Sequence, residues 1–158
     1  MKILEPIFIE VIEKLIINNV DFILIGGYAV NYYGYGRYTG DIDFWLRPDQ
    51  ENKEKFLKVF KELNNNSSDL EIIELLNFED AQVISLGEPP LRIDFLTKVN
   101  LVNFDEAWEK KVFFSLKKLS VPVVDFNHLI TMKFNTGRTK DKLDLDQLQK
   151  INQIKKKG

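Results

Sequence analysis

Two periods alternate along the chain, and the points where one gives way to the other mark the predicted elements. Phe8, Val11, Ile12, Leu15 and Ile16 recur at helical spacing among Glu10, Glu13 and Lys14, so the chain opens on an amphipathic helix that covers a sheet and ends at Asn18-Asn19. Phe22 to Ile25 is an unbroken apolar run before Gly26-Gly27, the pattern of a buried strand handing over to a tight turn and then a helix. From Asp41 to Leu46 the pattern switches to strict alternation, with Ile42, Phe44 and Leu46 on one strand face and Asp41 and Asp43 on the other. Pro48 closes this strand, and Gln50 to Leu63 carries Phe56, Leu57, Val59, Phe60 and Leu63 on a charged background, a surface helix followed by an Asn64–Ser68 loop.

The second half reads less evenly. Leu70 to Asn77 fits either helix or strand, whereas Ala81 to Leu86 is a strand ended by Gly87 and Pro89-Pro90. Leu91 to Leu96 alternates, placing Ile93 and Phe95 on one face and Arg92 and Asp94 on the other. Phe104 to Trp108 suggests a short helix, and Val112–Leu116 and Leu119–Val124 are strands joined through Lys117-Lys118. Asp125 is placed to cap a helix through Asn135 whose stripe is Phe126, Leu129, Ile130 and Phe134. Lys155-Lys156-Lys157 reads as a frayed, solvated tail.

With 158 residues, 44% of them hydrophobic, the chain can bury one core, and we expect a single domain over residues 1–158. The formal net charge of −2 gives no global basic field for broad nucleic-acid binding, though a local RNA contact stays open. No apolar run is long enough to cross a bilayer, and Glu5, Glu10, Glu13 and Lys14 interrupt the first twenty residues, unlike a signal peptide; a cytoplasmic location is expected. Without cysteine and with one histidine, His128, any metal must be held mainly by oxygen.

Candidate chemistry concentrates between Asp21 and Leu46. A helix starting after Gly26-Gly27 offers bare amide groups to an anion such as phosphate. Asp41 and Asp43, side by side on one strand face, repel each other unless a hard cation lies between them, so magnesium with a nucleoside triphosphate fits both halves of the stretch. Asp94 can join them if its strand pairs beside the first; taken alone it reads as an exposed strand aspartate paired with Arg92. Lys133 falls on the apolar stripe of its helix and needs either an anion or a route for its stem to solvent. All five tyrosines lie between Tyr28 and Tyr38, and Tyr28, Tyr32 and Tyr35 either pack a short helix on the sheet or stack a base or an aromatic acceptor. Gly34-x-Gly36 follows no strand and reads as a loop, and His128 has no partner set in the sequence.

The order strand, Ile25-Gly26-Gly27, helix, Asp41-Ile42-Asp43-Phe44 resembles the nucleotidyltransferase superfamily, whose polymerase-beta-like core carries an hG[GS] turn, a Dh[DE]h strand and a later third carboxylate. Arg37-Tyr38-Thr39-Gly40 before Asp41 resembles the R-x-T-x-D-h-D form of a small bacterial branch that includes AbiEii-type toxins and antibiotic resistance enzymes. Lys133 with Arg138, Asp141 and Asp144-Leu145 resembles the K-x4-R-x2-D-x2-D-L segment of the same branch. Gly27 and Tyr28 depart from the serine that many members carry.

The resemblance implies an α+β fold, a mixed β-sheet flanked by helices with further helices at the C-terminus. It implies Asp41, Asp43 and Asp94 as catalytic and metal-holding residues for two Mg2+ ions, and Gly26, Gly27, Arg37, Thr39, Lys133 and Arg138 as nucleotide-binding residues. The expected reaction is transfer of a nucleoside monophosphate from a nucleoside triphosphate to an acceptor, with an antibiotic, a protein side chain and a tRNA end all open, and with an antitoxin partner if the chain is a toxin component. A non-catalytic nucleotide-binding or partner-binding module of the same fold is the alternative, and three intact carboxylates speak against it.

Overall fold

The computed structural model describes residues 4–64 and 66–157; Met1–Ile3, Asn65 of the expected loop and Gly158 lie outside the described residues. Among the described residues the chain forms α1 (Pro6–Ile17), β1 (Phe22–Ile25), α2 (Gly26–Tyr32), β2 (Ile42–Leu46), α3 (Gln50–Leu63), α4 (Ser67–Leu75), β3 (Val83–Leu86), β4 (Ile93–Leu96), α5 (Phe104–Lys110), β5 (Val112–Leu116), β6 (Leu119–Val123), α6 (Phe126–Lys133) and α7 (Thr139–Lys157). The strands make one mixed sheet in the order β3-β4-β2-β1-β6-β5. This is the expected α+β class. Among the described residues no helix is long and apolar enough to cross a membrane.

Three differences from the sequence expectation have local causes. Ser67 and Ser68 open α4 instead of prolonging a loop, because the Asn66 side chain accepts from the Ser68 and Asp69 amides and caps the helix, which also settles Leu70–Leu75 as helical. Helix α6 stops at Lys133, two residues early: Asn135 takes φ 56° and Phe134, expected on the buried stripe, is 61% exposed. Lys155–Lys157 belong to α7 as its exposed basic last turn, where cations meet the negative end of the helix dipole.

The pairing that matters most is at the sheet centre. Strand β2 lies antiparallel to β1 and parallel to β4, with Asp43 opposite Ile25 on one side and Asp94 on the other. The alternation that gathers the carboxylates on one face sends Phe44 and Phe95 to the other, where the two rings stack at 5.8 Å. Phe56 of α3 meets Phe95 edge-on at 4.7 Å, and Phe22 meets Phe44 at 5.6 Å, so aromatic packing pins both carboxylate strands from behind. On the carboxylate side of β2, Trp45 is buried against Phe104 and donates its ring N–H to the Thr97 carbonyl.

Phe95→Ala removes the ring shared by Phe44 and Phe56. We expect a loss of about 3–5 kcal/mol, read as a lower urea midpoint with an unchanged slope; a loss under about 1 kcal/mol would show that the aromatic layer does not brace the sheet centre.

Candidate active site

A cleft of about 690 Å3 opens over the carboxylate face of β2 and β4. It is lined by Gly26, Gly27, Arg37, Thr39, Asp41, Asp43, Asp94, Lys133 and Arg138, so the fold brings every residue of the expected site to one place. The two glycines are there because side chains press against them. Gly26 takes φ +68°, and a Cβ on it would stand 2.2 Å from Asp43 Oδ2; a Cβ on Gly27 would stand 2.3 Å from Thr39 Oγ1. The Gly-Gly turn and the Asp-x-Asp strand are thus in direct contact, and α2 begins at Gly26 itself, two residues sooner than expected. Thr39 also donates its hydroxyl to the Asp41 carbonyl, tying the loop before β2 to the strand.

Asp94 is 8% exposed and accepts a hydrogen bond from Ser85 Oγ at 2.6 Å, across the β3–β4 register. Arg92 Nη2 lies 2.8 Å from Asp41 Oδ2 and 3.2 Å from Asp94 Oδ2, so one guanidinium nitrogen bridges two carboxylates.

The basic wall is itself held by acids. Arg37 grips Asp144 with two nitrogens at 2.6 and 2.8 Å, and Lys133 Nζ lies 2.9 Å from Asp144 and 3.2 Å from Asp141. Asp141 takes a further hydrogen bond from Thr136 Oγ1 at 2.7 Å and an outlying contact from Arg138 Nε at 3.7 Å. Burial alone would raise the Asp144 carboxyl, but hydrogen bonds from Arg37 and Lys133, with their charges, outweigh it and hold its pKa below the ordinary value. Lys133 is buried; its stem does not run to solvent, and its partners are in the chain.

A family model described as "Nucleotidyl transferase of unknown function (DUF2204)" matches residues 5–158. The chain belongs to this family. Among solved structures, the lincomycin-bound lincosamide antibiotic adenylyltransferase LnuA superposes with a TM-score of 0.56 at 12% identity, over 96% of this chain and 99% of that one. A Thermotoga maritima structure provisionally described as a nucleotidyltransferase gives 0.52 at 11% identity, over 95% of this chain and 89% of its own. At these identities the likeness is one of fold. No curated protein sequence matches this chain.

In this nucleotidyltransferase the donor chemistry of the cleft suits a hard divalent ion: carboxylate oxygens on adjacent strands, already drawing a cation in Arg92. Among the described residues no three such groups converge closely enough to hold an ion in this conformation. Burial first, then the neighbouring Asp94 and Asp41 charges, push the Asp43 carboxyl up from 3.8 to about 6, with Lys133 and Arg92 partly offsetting the rise.

Sequence reasoning gave no role to Asp141 and Asp144, which place Lys133 and Arg37, or to Ser85. Their signal was present: Asp141, Asp144 and Leu148 share one helical stripe and all three are buried, so α7 turns two carboxylates inward. The tyrosines resolve toward packing. Tyr28 meets Phe8, Tyr32 meets Phe114, and Tyr33 meets Phe126 and donates to the Val124 carbonyl, while Tyr35 packs partly buried against the core; Tyr38, 71% exposed, lines the cleft.

The folded chain binds the Asp43 proton more tightly than the unfolded chain, so that contribution to stability is complete below pH 3.8 and is lost as pH rises through about 6. The shift corresponds to about 3 kcal/mol. In chelator, Asp43→Asn is therefore expected to be more stable than the native protein at pH 8 and level with it at pH 4 by urea denaturation; equal differences at both pH values would refute the perturbed carboxyl. Asp144→Ala takes the carboxylate from Arg37 and leaves Lys133 with Asp141 alone, and is expected to cost about 3–5 kcal/mol in the same assay.

Proposed function

We propose that this nucleotidyltransferase moves a nucleoside monophosphate from a metal-bound nucleoside triphosphate, ATP being the simplest donor, to a hydroxyl-bearing acceptor in the cleft over β2 and β4, and that residues 1–158 act as one catalytic domain. The observation that carries this is the contact of Asp43 with the Gly26 turn, directly beside Asp94 on the neighbouring strand. One carboxylate is thereby held between the place where a phosphate chain can approach bare backbone and the place where a second carboxylate stands.

In this reading Asp41, Asp43 and Asp94 hold magnesium. Bound there, two ions would neutralise the triphosphate, align it for in-line attack and acidify the acceptor hydroxyl. The protein's own part is placement. Asp94, buried and oriented by Ser85, is the base toward the acceptor proton. Lys133 and Arg138 face the phosphates, with Lys133 aimed by Asp141 and Asp144. Arg37 acts mainly by fixing α7 through Asp144, and Thr39 fills the space beside Gly27 at which a turn serine would project.

A small molecule such as an antibiotic, a protein side chain and a tRNA end stay open as acceptors; LnuA, which shares the fold, is an antibiotic adenylyltransferase. If the acceptor is a cellular macromolecule, a toxin role with an antitoxin partner follows, in the cytoplasm where triphosphate and magnesium are plentiful.

The test is to incubate the protein with cell extract, with lincosamides and with tRNA, using each triphosphate labelled at the α- or the γ-phosphate. Label from the α-position and not the γ-position is expected in the acceptor, abolished by chelator and reduced about a hundredfold or more in Asp94→Asn. Triphosphate binding with no transfer to any acceptor would favour the non-catalytic module, and γ-label transfer would make the protein a kinase.

A further inference from the structure

The cation between Asp41 and Asp94 belongs to the chain itself. Arg92 sits immediately before β4, its carbonyl accepting from the Ile42 amide, so its side chain leaves the sheet on the same face as Asp94 and reaches across to the strand carrying Asp41. Its Nη2 is shared between the two carboxylates at 2.8 and 3.2 Å, while its Nε is buried and meets no hydrogen-bond partner. An arginine placed for permanent structural service would satisfy that nitrogen as well, because a buried donor without a partner costs about 1–3 kcal/mol. Arg37, in the same cleft, shows the contrast: its Nε and a terminal nitrogen both engage one carboxylate. Arg92 and Asp41 are also each more than a third exposed as side chains, so their ion pair is weak and can open at little cost.

We propose that Arg92 is an internal stand-in for the metal: it occupies the space between Asp41 and Asp94, and a divalent ion enters that space only as the guanidinium swings out. This rests on the reading that the aspartates hold divalent ions. The exchange keeps the carboxylate face compensated in both states, with one positive group leaving as another arrives. It also explains why the carboxylates draw a cation yet do not close into an ion-binding set: Asp41 and Asp94 are spread on either side of a guanidinium. Once displaced, Arg92 stays on the cleft wall, where its charge is available to the phosphates of the donor. Metal entry and arming of Arg92 are then a single step.

The experiment is Mn2+ binding without nucleotide, followed by the loss of the free-ion electron paramagnetic resonance signal, in the native protein, Arg92→Met, Arg92→Lys and Asp43→Asn. Arg92→Met, which keeps the stem and removes the charge, is expected to bind Mn2+ about tenfold more tightly than the native protein, the scale for releasing the ion pairs of a partly exposed guanidinium. Arg92→Lys is expected to fall between them. Equal or weaker binding in Arg92→Met, with binding still abolished in Asp43→Asn, overturns the exchange and leaves the metal site standing. Mn2+ binding that ignores Asp43 overturns both. A readout on the native protein covers poor folding of a variant: the Arg92 Nε–Hε nuclear magnetic resonance signal is expected to shift and to exchange faster with solvent on saturation with Mg2+ and triphosphate. An unchanged signal refutes the displacement.

Discussion

The repulsion among Asp41, Asp43 and Asp94 is the constraint that the surrounding structure answers. Two of these carboxylates are opposed on adjacent strands, one lies against the backbone of a turn, and Asp94 is buried away from the screening of water. Burial and the charges of Asp94 and Asp41 push the Asp43 carboxyl up to about 6. The aromatic layer of Phe44, Phe95 and Phe56 holds the strands in register from the opposite face, so the charges cannot relax by sliding apart. Stability is given up at this point to keep three acids together, a common pattern of functional sites.

Compensation comes in two layers. Arg92 bridges the carboxylates directly, and behind it Arg37 and Lys133 form a second set of cations that is tied down by Asp144 and Asp141 of α7. The cleft wall therefore carries Asp41, Asp43, Asp94 and Asp141 against Arg37, Arg92, Lys133, Arg138 and Lys140. A local balance of this kind is invisible in a net charge of −2, which describes the far field and not the site. It also makes α7 part of the site, since Arg37 of the loop before β2 and Lys133 at the end of α6 share the Asp144 carboxylate.

The departure of Gly27 from the serine found in many superfamily members has a steric reason in this chain. Thr39 places its hydroxyl where a side chain on Gly27 would begin, 2.3 Å from a Cβ there. The contact couples two motifs that are separate in sequence, and it accounts for the small residue at a turn whose neighbours are otherwise bulky.

The sequence by itself determined the features that rest on periodicity and short-range chemistry. Gln50–Leu63 is a helix within its expected bounds, β2 and β4 alternate as read, and Asp125 and Asn18 cap where expected, because each depends on residues within a turn or two along the chain. Alternation was enough to put Asp41 and Asp43 on one strand face, and Asp94 meets them because β4 pairs beside β2. Tertiary structure alone decided which partner each side chain meets. Alternation says that Arg92 and Asp94 share a face, but only the parallel placement of β4 beside β2 brings Arg92 to Asp41, fifty-one positions away. A lysine on an apolar stripe announces a need for an anion; the segment resemblance grouped Lys133 with Asp141 and Asp144, and the docking of α7 on α6 made them its partners. The tyrosines behaved likewise: their crowding was plain in the sequence, while their burial against Phe8, Phe114 and Phe126 was set by helices and strands that the chain brings in from elsewhere. A residue's period along the chain fixes the direction of its side chain, and the packing of distant elements fixes what stands there.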